Sequence, residues 1–328
     1  MSAAPQKASP GAEKIDVQVT AVVPLNDLVT RFEFQRADGE LFPPFSGGAH
    51  TVVAMQDGGR TRLNPYSLMS DPSDRSTYAI SVRRDDEGRG GSLFMHRNVS
   101  VGDAMVLTYP VNLFSLDLRG KKHLFFAGGI GITPFMAMIA QLERTNGNWE
   151  LHYACRSEAL GTYVKELTYK YPNKVHVYYD DQSQAIDLEG LLEGQPLGTN
   201  AYVCGPKGMI NWVHATASAA GWPDANVHSE EFLAPEPGEP FEVRLCQSDK
   251  TITVGENESL LEAIERVGVE APFLCRGGSC GQCETDVVSA EGTFVHRDHW
   301  LDDDEHAAGK KIMPCVSRFI GKSLELDR

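Results

Sequence analysis

Three cysteines stand within nine residues, CRGGSCGQC at 275–283, and a fourth follows at Cys315 in IMPCVSR. The spacing from Cys275 through Cys280 to Cys283 is C-x4-C-x2-C. Such a loop must turn its thiols toward one centre. Gly277, Gly278 and Gly281 supply backbone that can wrap closely and aim N–H groups inward, as an anionic metal–sulfur centre requires. Four thiolates in this order match the plant-type arrangement for a [2Fe–2S] cluster, so Cys275, Cys280, Cys283 and Cys315 are the expected iron ligands. A structural zinc site favours two C-x2-C pairs, and this chain has one. A Rieske centre takes two histidines, and His296, His299 and His306 lack the pairing with cysteine that it uses. Ser279 can add a hydroxyl, and Arg276 a positive charge near the cluster's exposed side. DDDEH at 302–306 reads as a solvated face, and Cys155, Cys204 and Cys246 as small core residues.

A chain of 328 residues is long enough for two or three cores. Its net charge of −15 excludes a surface that gathers nucleic-acid phosphates. The most apolar run, HLFFAGGIGITPFMAMIA at 123–140, is interrupted by glycines, Thr133 and Pro134. It reads as buried strand, turn and helix, so no membrane association is expected. MSAAPQKASPGAEK has no secretory pattern, and an odd count of seven cysteines with four clustered fits reduced thiols in the cytoplasm.

Three styles of sequence succeed one another, which makes the expected fold multidomain. Residues 14–117 carry short apolar runs punctuated by Gly, Pro and Asp, the pattern of an antiparallel β-barrel. Residues 118–234 alternate strand and helix, the pattern of an α/β domain with a parallel sheet covered on both faces. A Pro/Glu-rich linker falls at 235–240, and 241–328 form a compact α+β module around the cysteine loop.

Within the α/β segment, FFAGGIGITP places Gly128, Gly129 and Gly131 between a strand and a helix. Bare backbone there lets a pyrophosphate approach unpaired N–H groups at the helix start. YVCGPKGM adds Cys204, Gly205, Pro206 and Met209 at the end of a later strand, where open parallel sheets bind ligands.

RLNPYSL, SVRRDDEGRGGS, GGIGITP, YVCGPKGM and the terminal cysteine spacing occur in that order. Together they resemble the phthalate dioxygenase reductase family of the ferredoxin–NADP reductase superfamily, over about residues 15–328. The resemblance implies a flavin-binding barrel, a nicotinamide-nucleotide domain and a fused ferredoxin with a β-grasp fold. It implies an NADH-dependent oxidoreductase that passes electrons through FMN to the [2Fe–2S] cluster and on to a terminal oxygenase, Rieske-type, docking over the 276–282 loop. Tyr66 and Ser67 match the family's R-x-Y-S motif, whose arginine falls at Asn64 here, with Arg62 two residues earlier. Arg83, Arg84 and Arg89, with the N–H groups of GRGGS, are the candidates for the flavin phosphate. Leu68, Val82, Gly91, Ser92, Thr133 and Phe232 complete the flavin set that the resemblance implies. Cys204 would position the nicotinamide, and Arg156 follows the strand where a 2′-phosphate would be met. Acidic residues around 298–305 are expected to shape the partner contact. An FAD- and NADPH-dependent reductase feeding a cytochrome or a separate ferredoxin is the alternative, and an iron–sulfur redox sensor without hydride chemistry the more distant one.

Overall fold

The computed structural model describes residues 13–233 and 236–328. The first sheet is built from β1 (Lys14–Pro24), β2 (Val29–Arg36), β3 (Ala49–Asp57), β4 (Arg60–Ser67), β5 (Tyr78–Arg83), β6 (Ala104–Thr108) and β7 (Val111–Asn112). Its order is β4-β3-β6-β1-β2-β5 with β7 on β3, every pair antiparallel, and it curls until β4 and β5 approach one another. Strict alternation drives the curl: Ile15, Val17 and Val19 point inward between exposed Lys14, Asp16 and Gln18. They meet Phe32, Phe34, Val53, Met55 and Ile80 in one core. A helix that the alternating pattern does not announce, α1 (Gly91–Asn98), closes one end.

The second sheet runs β8 (Lys122–Gly128), α2 (Thr133–Arg144), β9 (Trp149–Cys155), α3 (Val164–Lys170), β10 (Val175–Tyr179), α4 (Leu188–Glu193), β11 (Thr199–Cys204), α5 (Lys207–Ala219) and β12 (Val227–Glu230). All its strands are parallel, in the order β10-β9-β8-β11-β12, so the order reverses between β8 and β11. β11 is buried throughout because both faces are covered: Phe125 packs with α2 on one side, Leu124 and Phe126 with α5 on the other.

The third sheet comprises β13 (Phe241–Leu245), β14 (Lys250–Val254), β15 (Thr285–Val295), β16 (Lys311–Ile312) and β17 (Arg318–Leu326), with helices α6 (Leu260–Arg266) and α7 (Asp303–Ala308). Its order is β14-β13-β17-β15-β16, with β13 and β17 parallel and the other pairs antiparallel. Ser259 and Glu262 cap α6 reciprocally, and Asp302 and Glu305 do the same for α7. The acidic run read as a solvated face thus begins as a helix cap.

Polar contacts tie the three units together. Asn26 Nδ2 donates to Leu160 O and Thr162 Oγ1, and Ser81 Oγ lies 2.7 Å from Tyr163 Oη. Arg89 Nη1 lies 2.7 Å from Glu262 Oε2, joining the loop before α1 to the cap of α6. Among the described residues, no helix is long and apolar enough to cross a membrane.

Candidate functional site

One cavity of about 690 Å³ lies where the three units meet. Its barrel wall comes from β4 and from the loop that leads into α1. Arg62 Nε is held by Asp57 Oδ2 at 2.7 Å, and its Nη1 donates to Arg89 O, so its guanidinium braces that loop. Asn64 Nδ2 donates to Tyr66 Oη at 3.4 Å. Burial pushes the Tyr66 phenol up to about 12 against that donation, so the ring is a neutral wall. Among the described residues, no side chain caps the N-terminus of α1. Its first N–H groups open beside Arg62, Arg83 and Arg89, a concentration of donors suited to a phosphate. Asp85 and Glu87 share that rim and set a limit on how much negative charge it takes.

The second wall is formed by Ile130 and Thr133, which follow β8, and by Ser229, Glu230 and the segment after β12, with the carboxyl ends of β8 and β11 packed behind. Gly131 needs to be glycine: an added Cβ would lie 2.1 Å from Cys204 O. Gly128 packs against Pro206, Met209 and Gly205. Cys204 is wholly buried, and burial followed by the charge of Glu230 pushes its thiol well up, so it is a compact neutral group and not a nucleophile. Burial also pushes the Glu230 carboxyl up to about 8.

Among the described residues, four buried polar atoms on this cavity have no partner: His50 Nε2, Ser67 Oγ, Glu230 Oε2 and Arg276 Nε. Buried donors and acceptors left unmade cost about 1–3 kcal/mol each. Their convergence on one space marks a site for a ligand with a polar edge.

The third wall carries sulfur. Cys275 and Cys315 reach the cavity, while Cys283 is buried behind them and Cys280 is half-buried. Cys275 pairs with Cys280 and is drawn down to about 5, first by that thiol and then by the N–H groups of Gly277, Ser279 and Cys280. Gly277 N donates to Cys275 Sγ at 3.3 Å. Cys283 is likewise lowered by Cys315. Their partners Cys280 and Cys315 are pushed up in return, so in each pair one sulfur is drawn toward thiolate, the form that binds iron, while the other keeps the proton that metal binding releases. Gly281 adopts φ 73°, and an added Cβ would lie 2.2 Å from Trp300 Cε2, so the indole lies directly on the loop.

Comparison with known proteins gives this geometry a context. Residues 108–227 match the family model "dimethylamine monooxygenase subunit DmmA-like, N-terminal domain". Residues 243–319 match the 2Fe-2S iron-sulfur cluster binding domain. The heme-dependent oxidative N-demethylase beta subunit of Ectopseudomonas mendocina is 43% identical over 95% of this chain and 98% of its own. The carnitine monooxygenase reductase subunit of Acinetobacter baumannii is 43% identical over 96% and 98%. The solved structure of phthalate dioxygenase reductase, a modular structure for electron transfer from pyridine nucleotides to [2Fe–2S], has a TM-score of 0.89. It is 33% identical and covers 98% of this chain and 100% of that one. The chain belongs to the phthalate dioxygenase reductase family. It is an oxidoreductase.

The structure brings most of the expected flavin residues to the cavity, and none of the expected nicotinamide residues lines it. Arg62, Asn64, Tyr66, Ser67, Arg83, Arg89, Gly91, Ser92, Thr133 and Phe232 line it. Leu68 and Val82 lie behind in the barrel core, and Gly128, Gly129, Gly131, Cys204, Gly205, Pro206 and Met209 stand at the adjoining strand ends without lining it. Arg156 is exposed past the end of β9, and Arg84 pairs with Asp86 away from the cavity.

Two expectations change. Arg276 is 5% exposed, pairs with Glu265, lies over the Phe273 ring and faces the cavity, so it offers no charge at an outer docking face. Asp298 is also buried, accepting from Ser317 Oγ and Leu301 N. Sequence reading missed His50, Ser81, Glu230 and Glu262 on the cavity wall, since nothing local distinguishes them from ordinary strand and helix residues.

Glu230 carries a prediction. Its folded-state value of about 8 lies above the ordinary 4.5, so the folded chain holds a proton that the unfolded chain releases. This contribution to stability is complete below about pH 4.5 and is lost as pH rises through about 8. Between pH 5 and pH 8, cofactor-free wild type should lose on the order of 4 kcal/mol more than Glu230→Gln, at about 1.4 kcal/mol per pKa unit. Thermal melts across that range check it; parallel curves for the two proteins would show a solvated carboxylate.

Proposed function

We propose that this protein is the NADH-dependent reductase component of a multicomponent oxygenase, taking electrons from NADH through FMN to a [2Fe–2S] cluster and then to a Rieske-type terminal oxygenase. The observation that carries the reading is the continuous cavity reaching from the nucleotide-domain wall at Thr133 and Glu230 to Cys275 and Cys315. The functional units are taken as 14–117 for flavin, 118–234 for nucleotide and 241–328 for the cluster, joined at 235–240, in a cytoplasmic protein.

The residues fit the groups. A flavin ring would lie against Tyr66, with the unpartnered Ser67 Oγ and His50 Nε2 facing its polar edge, and its phosphate at the open N-terminus of α1 between Arg62, Arg83 and Arg89. Burial lowers His50 to about 4, so it is neutral at working pH and adds no positive charge. A single phosphate terminus matches one helix start and supports FMN. A bound flavin accepts a hydride and gives up electrons singly, which is what joins a nicotinamide to an iron–sulfur centre.

The chain's own work is placement. Gly131 and Gly205 let the strand ends come close enough for a nicotinamide to be held over Cys204, whose small neutral thiol fills space without competing chemically. Glu230 holds a proton at its buried carboxyl. Phe232, 47% exposed on the cavity wall, is placed to cover the ring until nucleotide displaces it. Glu158 follows Arg156 two residues on in the same exposed turn, and its negative charge disfavours a 2′-phosphate and supports NADH over NADPH. Cofactor extraction with NADH and NADPH turnover tests this: FAD in the extract or a preference for NADPH would overturn it.

A second reading of the partner has specific support. The N-demethylase relative is named heme-dependent, and residues 108–227 match an amine monooxygenase model, so a heme-bearing acceptor competes with the Rieske type. Anaerobic reduction of each purified oxygenase by NADH and this protein separates them.

For docking, Trp300 is half-exposed on the cluster loop, and Asp303 and Asp304 are exposed beside it on α7. Asp303→Lys/Asp304→Lys is expected to slow electron delivery to the oxygenase about tenfold at low salt and to flatten its salt dependence, leaving NADH oxidation by a dye unchanged. An unaltered rate and salt slope would place the contact elsewhere.

A further inference from the structure

Glu150, His152 and His176 converge near the amino ends of β9 and β10, away from the cavity and lining none of it. β10 is an edge strand, and His152 and His176 are direct partners in its pairing with β9. Glu150 Oε1 lies 3.2 Å from His152 Nε2 and 3.2 Å from His176 Nε2.

We propose that these three side chains form a binding site for one first-row divalent ion, with Zn²⁺ the best fit. A tetrahedral ion with bonds of about 2.0–2.1 Å holds its ligands about 3.3 Å apart, which is the spacing Glu150 already keeps from each imidazole. Two imidazoles and one carboxylate are a donor set zinc accepts, with water from the exposed side as the fourth ligand.

Three further features point the same way. His152 is 2% exposed, and its Nε2 makes no hydrogen bond despite the nearby carboxylate. Its other nitrogen, Nδ1, lies 3.0 Å from Tyr178 Oη; with Nδ1–H donating to that oxygen the ring is fixed and Nε2 presents a lone pair to the site. Lys122 Nζ holds Glu150 Oε2 at 2.8 Å, leaving Oε1 to the ion as a single donor. The two imidazoles stand nearly parallel, 4.9 Å apart at 14°, so binding requires a tilt of one ring; His176, 42% exposed, is free to make it. The ion would pin the edge strand to its neighbour.

The test uses the protein with flavin and cluster loaded, so that the four cluster thiols are occupied. Isothermal titration with Zn²⁺ should show one equivalent bound, confirmed by metal analysis after desalting. His176→Gln and Glu150→Gln should each weaken binding at least about a hundredfold. Tyr178→Phe, which removes no ligand, should weaken it about tenfold. NADH oxidation should be unaffected in all three, and His176→Gln, at an exposed position, should melt with the metal-free wild type. No uptake by wild type, or undiminished affinity in both ligand variants, overturns the proposal. So does loss of binding in His306→Gln instead, which would place the ion at His296, Asp298 and His306.

Discussion

Cys283→Ser is expected to eliminate electron delivery to the oxygenase while leaving hydride uptake from NADH intact. Cys283 is 2% exposed and packs in the core of the third unit beside Cys315. A serine oxygen is a harder and weaker donor to iron than a thiolate, and it places an unpaired hydroxyl in an apolar core at a cost of about 1–3 kcal/mol. Both effects fall on the cluster and its loop. Cys283 does not line the cavity, so flavin retention and its bleaching by NADH should persist. The purified variant should lack the rhombic paramagnetic signal after reduction, with transfer to the oxygenase at background and dye reduction retained. A full cluster signal would remove Cys283 from the ligand set.

Gly131→Ala acts at the other end of the relay. Its Cβ would meet Cys204 O at 2.1 Å, Cys204 C at 2.5 Å and Gly205 N at 2.9 Å, all backbone atoms. β8 and β11 are hydrogen-bonded up to Ala127 and Cys204, so the clash is relieved only by spreading the strand ends that support the nucleotide wall. Overpacking of this kind costs about 1–3 kcal/mol. A displacement of about 1 Å at a reacting centre costs on the order of 10²-fold in rate. We expect kcat/KM for NADH to fall by about that factor with flavin content unchanged, measured with a dye as acceptor. Wild-type kinetics would mean that the nicotinamide lies elsewhere.

Local chemistry made much of this legible in the sequence. The cysteine spacing singled out its four thiols because a polynuclear centre constrains a short loop and one distant residue. The glycine turns were readable for the same reason: close backbone approach leaves no other residue type. The strand–helix alternation of the parallel sheet was equally plain. Three things were not. Helix α1 follows a glycine-rich loop and has only Gly91 and Met95 buried, so it lacks an apolar stripe. His50, Ser81 and Glu230 lie in strands whose pattern says only that they face inward or outward, not toward what. Arg276 and Asp298 read as surface charge because their partners, Glu265 and Ser317, come from elsewhere in the chain. Pairing between residues distant along the chain leaves no periodic trace.

The bond between Arg89 and Glu262 joins the loop that would grip the flavin phosphate to the unit that carries the iron. Severing the ferredoxin portion would unseat that arginine and strip one side from the cofactor's berth. A truncated reductase would therefore shed its pigment on dilution, so that a chain with no electron exit also forfeits the means of loading electrons.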